Sequence, residues 1–223
     1  MQQDLFNSLV EAKISRKPIQ EFILLGEHLP VITMGRRANP ANVLISPQAL
    51  QNKGIDFFNI ERGGDATYHC PGQLIVYPIL DLDSHHLGIK DYVSILEEAV
   101  IRLLNKYDIK GERIQGATGV WLGKNTPEER KICAIGIKCS RFCSMHGLAL
   151  NVCSDLAGFS FINPCGFQDK GVTSIEKELA AVNASDKKGI NHSLNGVEYS
   201  ESELMKKIKE DFLDIFLGLI FPF

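Results

Sequence analysis

Short apolar runs, each closed by glycine, proline or a polar cluster, constrain the fold of this chain more than any other feature. Strand-length runs lie at 21–27, 31–34, 55–60, 73–80, 118–122, 132–137 and 148–152. Pro78 lacks a backbone N–H and pushes the end of the fourth run toward a sheet edge or a bulge. Only one long helical stripe interrupts the series: Val93, Leu96, Val100, Leu103, Leu104 and Tyr107. Leu5, Leu9 and Ala12 predict a further helix at the start, cut into at its beginning. Two late helices are predicted by capping boxes, Thr173 with Glu176 and Ser200 with Glu203. The second runs over 200–220 with Leu204, Ile208, Phe212, Ile215 and Leu219 on one face, after a polar loop or short hairpin at 183–199. Strands and helices do not alternate regularly, so a doubly wound sheet is not expected. The reading is a single α/β (α+β) domain over 1–223, a mixed sheet flanked by helices.

Composition narrows the function classes. The 223 residues carry 24 basic and 27 acidic side chains, a net charge of −3, which disfavours non-specific nucleic-acid binding. No apolar run approaches the roughly 18–20 residues of a membrane span. The first residues are polar and lack the apolar segment of a signal peptide, so the six cysteines are expected to be reduced thiols of a cytoplasmic protein rather than a disulfide framework.

Four patches carry reactive groups. Residues 61–73 concentrate Arg62, Gly63, Gly64, Asp65, Ala66, Thr67, Tyr68, His69 and Gln73 between two predicted strands, the pattern of a binding loop rather than a self-satisfied hairpin. Lys131 enters the apolar strand that holds Ala134, Ile135 and Gly136; a solvated lysine at a strand start is the plain alternative. His146 and Gly147 open the strand of Leu148, Ala149, Leu150 and Asn151. Cys165 sits between Pro164 and Gly166 on a predicted tight turn, where a thiol is exposed, although an unpaired cysteine is more often small, buried and inert. Cys139, Cys143, His146 and Cys153 suggest zinc ligands only superficially. A strand over 148–152 would hold His146 and Cys153 roughly 20 Å or more apart, so no metal is expected.

Together and in this order, the patches resemble the octanoyltransferases, enzymes of lipoate biosynthesis that move an octanoyl group from acyl carrier protein onto lipoyl domains. The resemblance rests on Arg62-Gly63-Gly64, Thr67-Tyr68-His69, Pro71-Gly72-Gln73, Lys131 with Ala134-Ile135-Gly136, His146 through Val152, and Pro164-Cys165-Gly166. It implies a fold like the catalytic domain of biotin and lipoate protein ligases. It also implies Cys165 as the nucleophile and Lys131 as its partner, with Lys138 a decoy on the wrong side of the Ala-x-Gly strand. Arg62 through His69, Ala134 through Gly136 and His146 through Ala149 would line the acyl channel, with backbone N–H groups holding the oxyanion. The implied partners are octanoyl-acyl carrier protein and the lipoyl domains of 2-oxoacid dehydrogenases and glycine-cleavage H-type proteins. No nucleic acid, membrane or cofactor is implied, since amide formation from a thioester needs no ATP.

Arg36, Arg37, Arg130, Lys138 and Arg141 are expected as a basic rim for acidic partners. Three departures from the family pattern stand out: Cys70 where glycine is usual, a start inside the first helix, and the apolar ending Leu219-Ile220-Phe221-Pro222-Phe223. Cys70 is expected to narrow the pocket or to set a second thiol near Cys165. An ATP-dependent lipoate or biotin ligase and a non-catalytic binder of acylated carrier are the competing readings.

Overall fold

The computed structural model describes residues 1–163, 170–185, 193–194, 197–198 and 200–221. Helix α1 (Gln2–Ile14) leads into β1 (Phe22–Gly26), β2 (Val31–Met34), α2 (Pro47–Asn52), β3 (Asp56–Asn59), β4 (Ala66–His69) and β5 (Gln73–Ile79). After α3 (Ile89–Asn105) come β6 (Glu112–Ile114), β7 (Ala117–Leu122), β8 (Arg130–Ser140), β9 (Cys143–Asn151) and β10 (Gly171–Val172). Helix α4 (Ile175–Ser185), a small hairpin of β11 (Ser193–Leu194) and β12 (Val197–Glu198), and α5 (Glu201–Ile220) complete the order.

Two sheets share the molecule. The larger runs β1-β5-β9-β8-β7-β6, antiparallel throughout, with β10 pairing β8 in parallel beyond the end of β9. The smaller, β3-β2-β4, joins a parallel to an antiparallel pair. The main core lies where α3 and α5 cover one face of the large sheet. Leu96, Val100, Leu103 and Leu104 pack there with Ile208, Phe212 and Phe216. Asp211 of α5 ties these helices together, accepting from the Tyr107 hydroxyl and from Lys106, both at 2.6 Å. On the opposite face Phe6 and Leu9 of α1 meet Ile79, Cys143 and Met145. Of the apolar ending, Ile220 is buried in the main core and the exposed Phe221 ring stands edge-on to His85 at 5.0 Å, while 222–223 lie outside the described residues.

Local chemistry explains most boundaries and corrects several expectations. Ser200 and Glu203 form the expected capping box of α5, each side chain taking the other's backbone N–H. The expected box at α4 does not form, and Ser174 rather than Thr173 supplies the cap oxygen. Ser174 accepts the Lys177 N–H at 3.3 Å, while Thr173 donates its hydroxyl to Glu178 at 2.5 Å. Pro78 does not make β5 an edge, because β5 lies between β1 and β9. It interrupts the ladder instead: β5–β9 pairing stops at Val76↔Leu148, and the Ser144 hydroxyl then bridges, donating to the Pro78 carbonyl at 2.9 Å and accepting the Leu80 N–H at 3.1 Å. Opposite this gap His146 adopts a left-handed φ of 59° within β9.

Candidate active site

A narrow cavity opens between the two sheets. Its walls come from β4 (Ala66, Thr67, His69), β5 (Gln73, Tyr77), β8 (Lys131, Ala134, Ile135, Gly136) and β9 (His146, Gly147, Leu148, Ala149, Asn151). Ile60, Arg62, Gly64 and Asp65 close it from the loop before β4, and Phe159 and Val172 from either side of the segment 164–169. Most residues expected to line an acyl channel therefore meet around one space. Two do not. Tyr68 packs in the core of the small sheet, its ring edge-on against Phe159 at 5.6 Å, and burial raises its hydroxyl pKa to about 12. Gly63 lines a neighbouring groove with Arg37 and Thr118.

Lys131 reaches the cavity through a break in strand alternation. Strict period-2 alternation would put Lys131 and Ala134 on opposite faces of β8. The pairing with β7 changes from Val120↔Cys133 to Trp121↔Lys131, which leaves Ile132 as an extra residue, a β-bulge. The bulge restores Lys131 to the face of Ala134 and Gly136. Its ammonium donates to the Thr118 carbonyl at 3.2 Å and lies 4.5 Å from the centre of the Trp121 ring. Trp121 is itself fixed by donating its indole N–H to the Ala117 carbonyl at 2.8 Å. A cation held against an indole face and a carbonyl, 7 % exposed, is a preorganised charge rather than a solvated one. Lys138 by contrast pairs with Glu61 at 2.5 Å and is not a wall of the cavity.

The glycines expected to leave room admit neighbouring backbone instead. A Cβ on Gly136 would sit 2.7 Å from the Gly63 carbonyl oxygen, and one on Gly147 would strike the Val76 carbonyl. Gly136 and Gly147 face each other in the β8–β9 ladder, and Ala134 faces Ala149 two steps away. Arg62, expected as a binding group, spends much of its guanidinium on architecture. It donates to the Thr33 carbonyl at 2.7 Å, to the Thr33 hydroxyl at 3.0 Å and to the Gly63 carbonyl at 3.0 Å. Asp65 likewise braces the turn at 39–42, accepting from the Asn39 N–H and from the Asn42 amide.

Gln73 and Asn151, singled out in the reactive patches but given no role, join in a chain of buried amides. Asn151 donates to the Thr173 carbonyl at 2.9 Å, Gln73 donates to Asn151 Oδ1 at 2.8 Å, and His69 Nδ1 meets Gln73 Oε1 at 2.6 Å. Tyr77, also unassigned, holds its hydroxyl 2.8 Å from His28 Nε2. The available signal was a polar residue at the end of an apolar run, Gln73 opening β5 and Asn151 closing β9, where burial demands a partner. Burial pushes the pKa of both His69 and His146 down to about 4; for His146 the Arg62 guanidinium adds to the effect.

The basic rim is smaller than expected. Arg130 is engaged by Glu178 through two hydrogen bonds, Lys138 by Glu61, and Arg141 lies in the β8–β9 turn. Arg37 borders the groove next to the cavity, and Arg36 is exposed beside it. Cys70 does not narrow the cavity. It packs in the core of the small sheet with its thiol 3.6 Å from the Asp155 carbonyl. The expected nucleophile Cys165, and with it the relation of Cys70 to Cys165, lies outside the described residues. The five described cysteines are free thiols, and burial raises the pKa of each: Cys70 and Cys143 to about 11, Cys153 to about 12, Cys133 and Cys139 upward as well.

Comparisons agree with the geometry. The chain is 53 % identical over 175 residues to an octanoyltransferase of Parabacteroides distasonis, covering 78 % of this chain and 79 % of that protein. It is 43 % identical over 217 residues to an octanoyltransferase of Christiangramia forsetii, covering 95 % and 88 %. Among solved structures the fold resembles a bi-partite lipoate protein ligase of Thermoplasma acidophilum, with a TM-score of 0.56 at 17 % identity over 95 % of this chain and 78 % of the other. It also resembles a lipoate-protein ligase A bound with ATP, with a TM-score of 0.52 at 14 % identity over 96 % and 92 %. The family description "Lipoyl protein ligase A/B catalytic domain" matches residues 2–190, and the chain belongs to that family.

Proposed function

We propose that Cys165 and Lys131 carry the octanoyl transfer of this enzyme as a nucleophile and its cationic partner. The enzyme is an acyltransferase that moves an octanoyl group, as its relatives named octanoyltransferases do. Its substrates are an acylated carrier and a lipoyl-type acceptor; octanoyl-acyl carrier protein and the lipoyl domains of 2-oxoacid dehydrogenases and glycine-cleavage H-type proteins are the proposed pair. The thiolate of Cys165 attacks the donor thioester carbon, the carrier thiolate leaves and takes a proton, and the acyl group rests on Cys165. The ε-amine of the acceptor lysine then attacks the new thioester, the C–S bond breaks, and an amide forms as the amine proton returns to sulfur.

The observation that carries this reading is the placement of Lys131. It is a buried ammonium brought by a bulge to the cavity wall beside β10, the strand that follows the Cys165 segment and pairs Val172 with Lys131. Two further points support it. Phe159 and Val172, on either side of that segment, are both cavity walls, and each of the five other thiols is held protonated by burial. A low-pKa thiol beside an ammonium is a nucleophile, and a buried thiol without one is not. No helix among the described residues is long and apolar enough to cross a membrane; action in the cytoplasm is part of the proposal.

Incubation with octanoyl-carrier in ATP-free buffer, followed by mass spectrometry, tests the reading. One octanoyl adduct on Cys165, absent in Cys165→Ser, is expected. Acylation at Cys70 or Cys139, or an absolute need for ATP, refutes it in favour of the ligase reading.

A further inference from the structure

Two imidazoles, His69 and His146, line the cavity, and His28 stands against the His69 ring at 5.6 Å; among the described residues only His69 has its ring protons dictated by the fold. His28 contacts a hydroxyl, which gives or takes a hydrogen bond, so its tautomer is open. His146 makes no ring hydrogen bond among the described residues. His69 stands at the end of a directed chain. The Thr173 and Tyr68 carbonyls can only accept, so Asn151 must turn its NH2 to Thr173 and Gln73 must turn its NH2 toward Tyr68 (3.3 Å) and Asn151. Both amide orientations then follow, and Gln73 presents its oxygen to His69 at 2.6 Å. An amide oxygen accepts, so His69 Nδ1 carries the proton and Nε2 does not.

We infer that Gln73 and Asn151 are positioning residues that lock His69 as its Nδ1–H tautomer, so that Nε2 offers the cavity a lone pair for the N–H of the attacking acceptor amine. His69 is 6 % exposed and lines the cavity with Lys131, and its Nε2 has no protein partner among the described residues. The inference deepens the reading above and rests on it for the identity of the amine. In the balanced step the amine nitrogen bonds to the acyl carbon, one N–H proton passes to Nε2, and the imidazolium returns that proton to sulfur as the C–S bond breaks. Burial and the Arg62 charge disfavour the imidazolium, so the proton is held briefly and its return is downhill. The wrong tautomer would point an N–H at an N–H and obstruct the amine. The same chain ends on Thr173, whose N–H donates to the Lys131 carbonyl at 3.0 Å, so the relay and the lysine strand are fastened to one another.

Two measurements test this, one of them independent of the chemistry. Long-range 1H–15N spectra of 15N-histidine protein at pH 7, assigned by loss of one ring in His69→Asn, should show His69 with Nδ1 protonated and Nε2 bare. An Nε2–H ring or an averaged mixture overturns the inference. Gln73→Glu keeps the acceptor at Nδ1 and should retain the tautomer while raising the pH at which the ring titrates. Gln73→Leu should release the tautomer, and the Glu variant keeps the test decisive if the Leu variant does not fold. In single-turnover assays His69→Asn should slow acyl transfer from the loaded enzyme to the acceptor lysine at least tenfold more than it slows loading of Cys165. Equal loss in both halves overturns it. If the unsubstituted protein forms no acyl-enzyme, the Cys165 reading fails, and the tautomer measurement alone decides whether the fold locks His69.

Discussion

Gly136→Ala should open the site by prying a loop from the sheet, and the structure sets the size of the effect. The new Cβ would lie 2.7 Å from the Gly63 carbonyl oxygen and 3.1 Å from Arg62 Cδ. A tolerable C···O contact is about 3.3 Å, so the 62–64 loop must retreat by about 0.6 Å. That retreat lengthens the hydrogen bond from the Gly63 N–H to the Ile137 carbonyl, now 2.8 Å, to about 3.4 Å. It also strains the Arg62 clamp on Thr33. Overpacking of this kind costs about 1–3 kcal/mol. For a chain of this size that lowers Tm by about 2–12 °C. Gly218→Ala is the matched control: nothing lies within 4 Å of its Cβ, and Gly218 is exposed inside α5. It should stabilise by about 0.5–1 kcal/mol through helix propensity. Calorimetry of both variants, with octanoyl transfer measured alongside, checks the argument. An unchanged Tm and rate for Gly136→Ala would refute the claim that the loop is seated on this glycine.

Acid should destabilise the fold through its two cavity histidines. Their folded pKa of about 4 lies below the ordinary value of 6.5, so the stability they contribute is full above pH 6.5 and lost as pH falls toward 4. Each contributes on the order of 1–3 kcal/mol. His146→Asn, which tolerates the left-handed backbone, should flatten the decline of Tm between pH 6.5 and 4, and an unaltered slope contradicts the assignment. Lys131→Ala should slow alkylation of Cys165 at pH 7 by about tenfold or more, the loss expected for one unit of thiol pKa. Identical pH profiles of alkylation for the variant and the parent would remove Lys131 from its role.

Where side-chain periodicity was unbroken, the chain announced its structure. The α3 stripe, the capping box at Ser200 and the apolar runs of β1, β2, β5 and β7 all lie where their patterns put them. The failures have physical causes. The hairpin of β8 and β9 extends well past the expected strands, because its two-residue turn uses Arg141 (φ 50°) and Phe142 (φ 60°). A turn with both central residues left-handed normally advertises itself by Asn-Gly or Asp-Gly, and here the surrounding sheet imposes it without that signal. Strand β4 was hidden because Ala66-Thr67-Tyr68-His69 reads as a continuation of the glycine loop; its pairing partner, β2, lies about thirty positions upstream. The Cα register across that distance is tertiary information, which local propensity does not contain.

The bulge at Ile132 shows why the residues that line the cavity could be gathered from the sequence while their geometry could not. On an unbroken strand, Lys131 would share a face with Cys133 and Ile135, away from Ala134 and Gly136. An ammonium there would be aimed from the cavity into the apolar packing of the main core, at a cost no nearby carbonyl offsets. The inserted residue reverses this parity at one point only. It turns Lys131 onto the cavity face that the pairs Ala134↔Ala149 and Gly136↔Gly147 also line, while Ile132 and Cys133 both remain fully buried. Lys131 and Gly136 are five residues apart, roughly 17 Å at strand rise, which exceeds the length of an extended eight-carbon chain. One strand pair therefore supplies both the charge at one end and the cavity wall beyond it. Because that pair lies in the middle of the large sheet, with β5 and β7 on either side, the ammonium and the cavity wall are held at a fixed separation.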